Sequence, residues 1–258
     1  MKKKIILGII LGIILIGGLT AGILYLYSRV SNPWNVNTIG EIPTPIGYTR
    51  VDAPAGSFGS FARSLPLEKR GSKVHLYTGG DARFQSLSTG VIAMPLLSNY
   101  EQCADVTMRL KAEYLFSQGR FSEIRFTDVN GKRQIYTGGN SRKAFEKYMR
   151  NIYGCCSTFS LFHETTPRKA SEVQPGDVLV YPARPGRKYG HALIVIDVAH
   201  NASGNVAIMC AEGNTPARDI HVVRNNNPIR NPWFIIDDDD EVFWILPFHF
   251  KREELRHY

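Results

Sequence analysis

Three apolar segments, Asp177–Pro182, Ala192–Val198 and Val206–Ala211, constrain the fold of this chain more than any other feature. The run Ala192-Leu193-Ile194-Val195-Ile196 has no polar face, so a strand made from it must be covered on both sides. A Pro175-Gly176-Asp177 turn leads into the first segment, Gly190-His191 opens the second, and the third runs out into Glu212-Gly213-Asn214. They read as strands of one sheet, with His221–Val223 as a further short strand. Upstream, Ser98-Asn99-Tyr100-Glu101 has the spacing of a capping box and predicts a helix to about Phe116; Ser141 to Tyr153 predicts a second, stopped by Gly154. Ile124–Thr127 and Arg133–Tyr136, joined through Asn130-Gly131, predict a hairpin. Ser57–Arg63, Lys73–Thr78 and Val91–Pro95 have strand character. One α+β domain over 47–258, an antiparallel sheet packed against helices, accommodates these elements. With 43% of its 258 residues hydrophobic, the chain can fill one sizeable core. No period of about 20–50 residues repeats, which excludes solenoids and propellers, and four cysteines are too few for a disulfide-stapled miniature.

Residues 1–29 have a different character. Lys2, Lys3 and Lys4 precede an uncharged stretch, Ile5 to Tyr27, of 23 residues. As a helix rising about 1.5 Å per residue it spans a hydrocarbon core of roughly 30 Å. Only Arg29 follows closely, so the positive-inside asymmetry puts the remainder outside the cytoplasm. The expectation is a transmembrane signal anchor in the inner membrane with the domain facing the periplasm or outside. The alternative is a signal peptide cut near Thr20-Ala21-Gly22 and a secreted domain; the apolar length through Tyr27 favours the anchor. Residues 30–46, rich in proline, glycine and asparagine, read as an extended linker. The net charge of +8 includes the three N-terminal lysines. The rest is spread along the chain without a basic, aromatic-interleaved stripe, so nucleic acid is excluded as a partner.

A histidine that opens one strand and a carboxylate that ends its neighbour can be hydrogen-bonded together, which orients the imidazole to take a proton from a thiol. His191 and Glu212 have those positions. The thiol must come from upstream, ideally near a helix N-terminus. Cys103, 88 residues before His191, lies in the first turns of a predicted helix, and Gln102 before it can help bind an oxyanion. Cys156, in Cys155-Cys156-Ser157, is the alternative nucleophile, only 35 residues before His191. Against Cys103 stands its place in a helical row with Val106, Leu110 and Tyr114, which suits a core thiol. Asp105, Arg109 and Glu113 fall at i, i+4 and i+8 and read as a supporting ion-pair row. Cys210, inside an apolar strand, reads as core. His221 could reach the rim of His191, but a structural role is the simpler reading. No Cys-x-x-Cys or His-Glu-x-x-His occurs, and Asp237–Asp240 with Glu241 lacks the alternating ligand spacing of a calcium loop; no metal and no cofactor are expected.

The Gln174–Tyr181, Gly190–Asp197 and Asn205–Asn214 segments resemble the papain-like peptidoglycan hydrolases of the CHAP and NlpC/P60 families, in which the histidine of the Gly-His pair is the general base. Cys156-Ser157 echoes the Cys-Ser of NlpC/P60 enzymes. Over a longer stretch, Gly47–Val51, Gly59–Leu67, Val74–Tyr77, Gln102–Asp105, Met108–Leu110, Ala112–Leu115, Gly190–Ala192 and Pro216–Val222 are similar to a bacterial cell-envelope family, domain of unknown function 4846, across about residues 45–250. The Gln-Cys-Ala-Asp block is typical of that family, which favours Cys103 over Cys156. The chain departs from it at Glu212-Gly213-Asn214, where Gln-Ser is more usual. The resemblance implies a papain-like, NlpC/P60-type fold outside the membrane. It further implies a thiol amidase or peptidase acting on peptidoglycan peptides, with Cys103 as nucleophile, His191 as base, Glu212 as orienting group and Gln102 as oxyanion donor. The rival is a catalytically silent binding or scaffold module of the envelope. No feature indicates an oligomeric state.

Overall fold

The computed structural model describes residues 29–258, together with residues 15, 17–20, 22, 23 and 26. The expected anchor over Ile5–Tyr27 lies, apart from those scattered positions, outside the described residues; among the described residues no helix is long and apolar enough to cross a membrane.

The chain is a mixed α+β domain built on a large antiparallel sheet with several helices, as its alternation of segments predicts. In chain order the elements are β1 (Tyr48–Arg50), α1 (Phe58–Ser64), β2 (Ser88–Val91), α2 (Cys103–Ser117), β3 (Arg125–Thr127), β4 (Arg133–Ile135), α3 (Arg142–Cys155), α4 (Thr158–Glu164) and β5 (Thr166–Pro167). Then follow β6 (Val178–Tyr181), β7 (His191–Asn201), β8 (Val206–Glu212), β9 (His221–Val223), β10 (Phe234–Ile236), β11 (Val242–Ile245), β12 (Phe248–Lys251) and β13 (Leu255–His257). The sheet has nine strands in the order β2-β9-β8-β7-β6-β13-β5, with β1 added to β7 and β10 to β8. The hairpins β3–β4 and β11–β12 stand apart from it.

The period of two in the central strands divides the interior into two cores. Val178, Val180, Ala192, Ile194, Ala207, Met209 and Ala211 face a core shared with residues of α2, α3 and α4, among them Leu110, Phe145, Met149 and Leu161. Leu179, Tyr181, Leu193, Val195, Ile208 and Cys210 face the other way, onto Phe243, Ile245 and Phe250 of the β11–β12 hairpin. Truncating one of the fully buried residues, such as Ile194, to alanine costs about 2–5 kcal/mol. A register shift between Val195 and Asp197 bulges β7 and turns Asp197 to where Arg50 and Arg63 meet its carboxylate at 2.6 and 2.8 Å. That buried group ties β1 and α1 to the long strand.

Several local expectations are corrected. The Ser57–Arg63 segment is a helix, because Ser57 caps it by accepting from Ser60 N–H at 3.1 Å and the Phe58/Phe61 spacing puts both rings on one side, against Tyr114. Lys73–Thr78 makes only isolated bridges, and the strand expected at Val91–Pro95 lies earlier, at Ser88–Val91. The stretch 30–46 is no free linker: Ile39 and Ile42 are fully buried in the main core, and the Asn32 amide donates to Val36 O and Glu68 O. Two branched apolar side chains anchor an otherwise Pro/Gly-rich segment.

Candidate functional site

The antiparallel pairing brings the start of β7, the end of β8 and the start of β9 to one rim of the sheet; Glu212 lies directly opposite His221. There the Glu212 carboxylate bridges two imidazoles, with His191 Nε2 at 2.7 Å from Oε2 and His221 Nε2 at 3.1 Å from Oε1. His221 Nδ1 faces Asp219 O at 2.9 Å. Both nitrogens of His221 therefore face oxygen atoms. His191 has one nitrogen committed to Glu212, which leaves Nδ1 for another partner. All three side chains are buried.

The other wall of the site is the start of α2. The Ser98–Glu101 segment forms a turn, with Tyr100 N–H donating to Ser98 Oγ at 2.9 Å, but the helix begins only after it. Gln102 is the extended residue before the helix, and its N–H donates to the Asp105 carboxylate at 2.9 Å. Cys103 thus occupies the first helical position, where backbone N–H groups lack intrahelical acceptors and the helix dipole is positive. Gly213 lets this helix end reach the sheet, and Gly190 admits the start of α4 beside it. A Cβ on Gly213 would lie 2.5 Å from Val106 Cγ2 and 3.2 Å from Gln102 O, and one on Gly190 would lie 2.1 Å from Thr158 Oγ1 and 2.7 Å from Tyr181 O. With no Cβ at Gly213, the Cys103 thiol comes near enough to the His191 ring to raise its affinity for a proton. Phe248, from the β11–β12 hairpin, stacks on that ring at 3.6 Å between centroids and 21° between planes.

The electrostatics follow from this packing. Burial alone would depress the His191 imidazolium, but the Cys103 thiol and the Glu212 carboxylate outweigh it and push the ring up to about 9. Burial would likewise raise Glu212, yet the hydrogen bonds from His191 and His221 hold it at about 2. The two partners agree: a carboxylate faces an imidazolium.

A cleft of ≈ 240 Å³ opens beside Cys103, bordered by Gln102, Asp105, Cys156, Tyr189 and Thr215 among others. Gln102 Oε1 accepts from Thr215 Oγ1 at 2.8 Å, so the NH2 end of that amide is the half available to a ligand. Cys156 borders the same cleft, but its thiol donates to Thr127 O at 3.5 Å and burial pushes its pKa far above the ordinary thiol range. Of the two candidate nucleophiles, Cys103 is the one brought to His191. Cys210 is fully buried in β8, as core. Asp105 does not join the expected ion-pair row: Arg109 pairs with Glu101 at 2.8 Å and Glu113 at 3.2 Å, because Glu101 is folded back under the helix by its turn. Asp105 Oδ1 instead has no hydrogen-bond partner among the described residues, and burial pushes the carboxyl up to about 8. The acidic run forms a surface turn in which Asp238 accepts from Ser171 N–H at 3.1 Å.

Sequence reasoning missed Phe248 and the bridging of Glu212 to His221. Phe248 carries no signal of its own, lying in a C-terminal hairpin far from the motif. The Glu212–His221 link was within reach, since nine residues between the end of one strand and the start of its neighbour allow an antiparallel pair.

Fold and site together define an α+β domain whose sheet rim and helix N-terminus assemble a buried Cys-His-Glu cluster. The chain belongs to the family described as domain of unknown function 4846, which matches over residues 39–139 and 137–257. Comparison with curated proteins and with solved structures found no match.

Proposed function

We propose that this chain is a papain-like cysteine amidase or peptidase of the bacterial cell envelope, tethered through Ile5–Tyr27 with its domain outside the cytoplasmic membrane and acting on peptidoglycan stem peptides. The observation that carries the chemistry is His191, bound to the Glu212 carboxylate at 2.7 Å, with its proton affinity raised by the Cys103 thiol. A thiol at a helix start, set against an antiparallel sheet that carries the base and its orienting acid on adjacent strands, is similar to the NlpC/P60 arrangement. The envelope location and the substrate rest on the Lys2–Lys4 asymmetry and on that resemblance.

In the reaction, the proton resides on His191, and Cys103 Sγ attacks the carbonyl carbon of the amide. The oxyanion is met by the Cys103 backbone N–H and the Gln102 NH2. Collapse breaks the C–N bond as His191 passes its proton to the leaving amine. Water, deprotonated by His191, then cleaves the thioester and regenerates the sulfur nucleophile. Glu212 keeps Nε2 occupied throughout, so that Nδ1 is the nitrogen that faces the thiol.

The test is to incubate the full chain with muropeptides and with free stem peptides and to detect new amino termini by mass spectrometry. Cleavage is expected, is abolished by Cys103→Ala and by His191→Ala, and persists in Cys156→Ala. One observation favours the rival, a silent binding module: Cys103 is 9% exposed and Phe248 covers a face of His191. Iodoacetamide separates the two readings. Selective alkylation of Cys103 in the native protein supports the hydrolase, whereas a thiol that reacts only on unfolding supports the module.

A further inference from the structure

A cavity of ≈ 520 Å³ lies along the second half of α2 and shares no lining residue with the Cys103 cleft. Lys111, eight residues on from Cys103 and so about 12 Å farther along the helix, lines it. Among the described residues the Lys111 amine makes no hydrogen bond or ion pair; it rests 3.2 Å from the centre of the Tyr258 ring. Arg120, Arg125 and Arg133 line the same space, so four cationic groups face two carboxylates, Glu123 and Glu164. Glu123 is taken up by Arg120 through two bonds of 2.6 and 2.7 Å. Glu164 accepts from Thr127 N–H at 3.1 Å and faces Arg133 at 3.6 Å. Arg125 forms no salt bridge among the described residues, although the Glu123 carboxylate lies within its field. His257, also on this wall, is committed to Asp177 at 2.6 Å. The cavity thus presents the Lys111 amine and the Arg125 guanidinium without an ion pair among the described residues, beside an apolar wall of Phe58, Tyr114 and Tyr258.

An ammonium taken out of water without a counter-charge is costly. Here burial, reinforced by Arg125 and Arg133 and opposed by Glu164 and Glu123, brings the Lys111 amine down to about 7. An anion entering the cavity would restore both its proton and its partner. The volume is that of a small-molecule site.

We propose that this cavity binds a small organic dianion, a phosphate monoester or a dicarboxylate, with its acidic head between Lys111, Arg125 and Arg133 and its apolar body on Phe58, Tyr114 and Tyr258. The site is independent of the Cys103 chemistry and stands whether or not the chain cleaves amides.

The experiment is calorimetric titration of the full chain with phenyl phosphate and with isophthalate, using benzyl alcohol as the neutral control. At least one dianion binds and the alcohol does not; the tighter of the two identifies the head group as phosphate or carboxylate. Lys111→Met weakens that binding by about tenfold or more, and Arg125→Gln by about threefold to tenfold. At pH 8 binding takes up about one proton, read from the buffer dependence of the heat, and Lys111→Arg abolishes the uptake. Failure of both dianions to bind at about 10 mM, well beyond the range of ordinary specific sites, overturns the proposal. So does binding that Lys111→Met and Arg125→Gln leave unchanged. Should Lys111→Met not fold by circular dichroism, Arg125→Gln, at an exposed position, decides by the same titration.

Discussion

The sheet rim and the helix start that meet at Cys103 each carry a buried carboxyl group, and the two are treated in opposite ways. On the sheet wall, Glu212 receives two imidazoles and is held at about 2. On the helix wall, Asp105 receives one backbone N–H, leaves Oδ1 unanswered and is pushed up to about 8. Burial is nearly the same for both, so the difference comes from partners. Strands in register hold residues of three chain segments at fixed spacing and can bring two ring nitrogens to one carboxylate. A helix start offers a carboxyl only its own backbone. Glu212 is therefore held ionised, whereas Asp105, buried with one donor and with the Glu101 carboxylate nearby, keeps its proton.

The sharpest break of that contrast is Glu212→Ala. It strands two imidazoles in the interior and is expected to cost about 3–5 kcal/mol, read from urea melts. Glu212→Gln keeps the shape and lowers the alkylation rate of Cys103 at neutral pH by about tenfold or more, because the imidazolium loses its counter-charge; an unchanged rate would mean that Glu212 does not act through His191.

Next in size is the approach of the two walls. Gly213→Ala sets a Cβ at 2.5 Å from Val106 Cγ2 and is expected to cost about 1–3 kcal/mol while slowing Cys103 alkylation. Val106→Ala combined with it should restore the alkylation rate if the clash is the cause.

The pH dependence separates the two carboxyls by sign. His191 stands at about 9 against 6.5, so its contribution to stability is complete below about pH 6.5 and is lost as pH rises through 9. Glu212 stands at about 2 against 4.5; its contribution is present above about pH 4.5 and is lost as pH falls through 2. Asp105 runs the other way. The native state holds its proton more tightly than the unfolded chain does, so its cost grows as pH rises from 3.8 to about 8. Asp105→Asn is accordingly expected to raise the melting temperature by about 3–6 °C at pH 8 and by almost nothing near pH 4. The smallest effect belongs to Cys156→Ala, which removes a thiol bonded to Thr127 O and should change Cys103 alkylation by less than about twofold.

What could be read in the sequence was local or periodic. The apolar runs of β6, β7 and β8 name themselves as covered strands because each residue contributes to one of two faces and neither face is polar. The Gly-His pair and the terminal Glu212 are visible because strand ends are marked by a change from apolar to polar residues. The hairpin through Asn130-Gly131 is legible from its turn chemistry. Ser57–Arg63 misleads because its two aromatic residues favour a strand by propensity, while their spacing of three and a single capping hydroxyl decide for a helix.

The residues alone therefore determined that a histidine and a carboxylate end adjacent strands and that a thiol lies near a helix start. That the helix begins at Cys103 and not at the Ser98 turn, that Gly213 clears the way for it, that Glu212 serves two histidines and that Lys111 is left beside Arg125 and Arg133 were decided only by tertiary structure. The reason is physical: capping, strand and turn preferences act over a few neighbours, whereas the charge state of a buried group is set by whatever the fold brings against it from elsewhere in the chain.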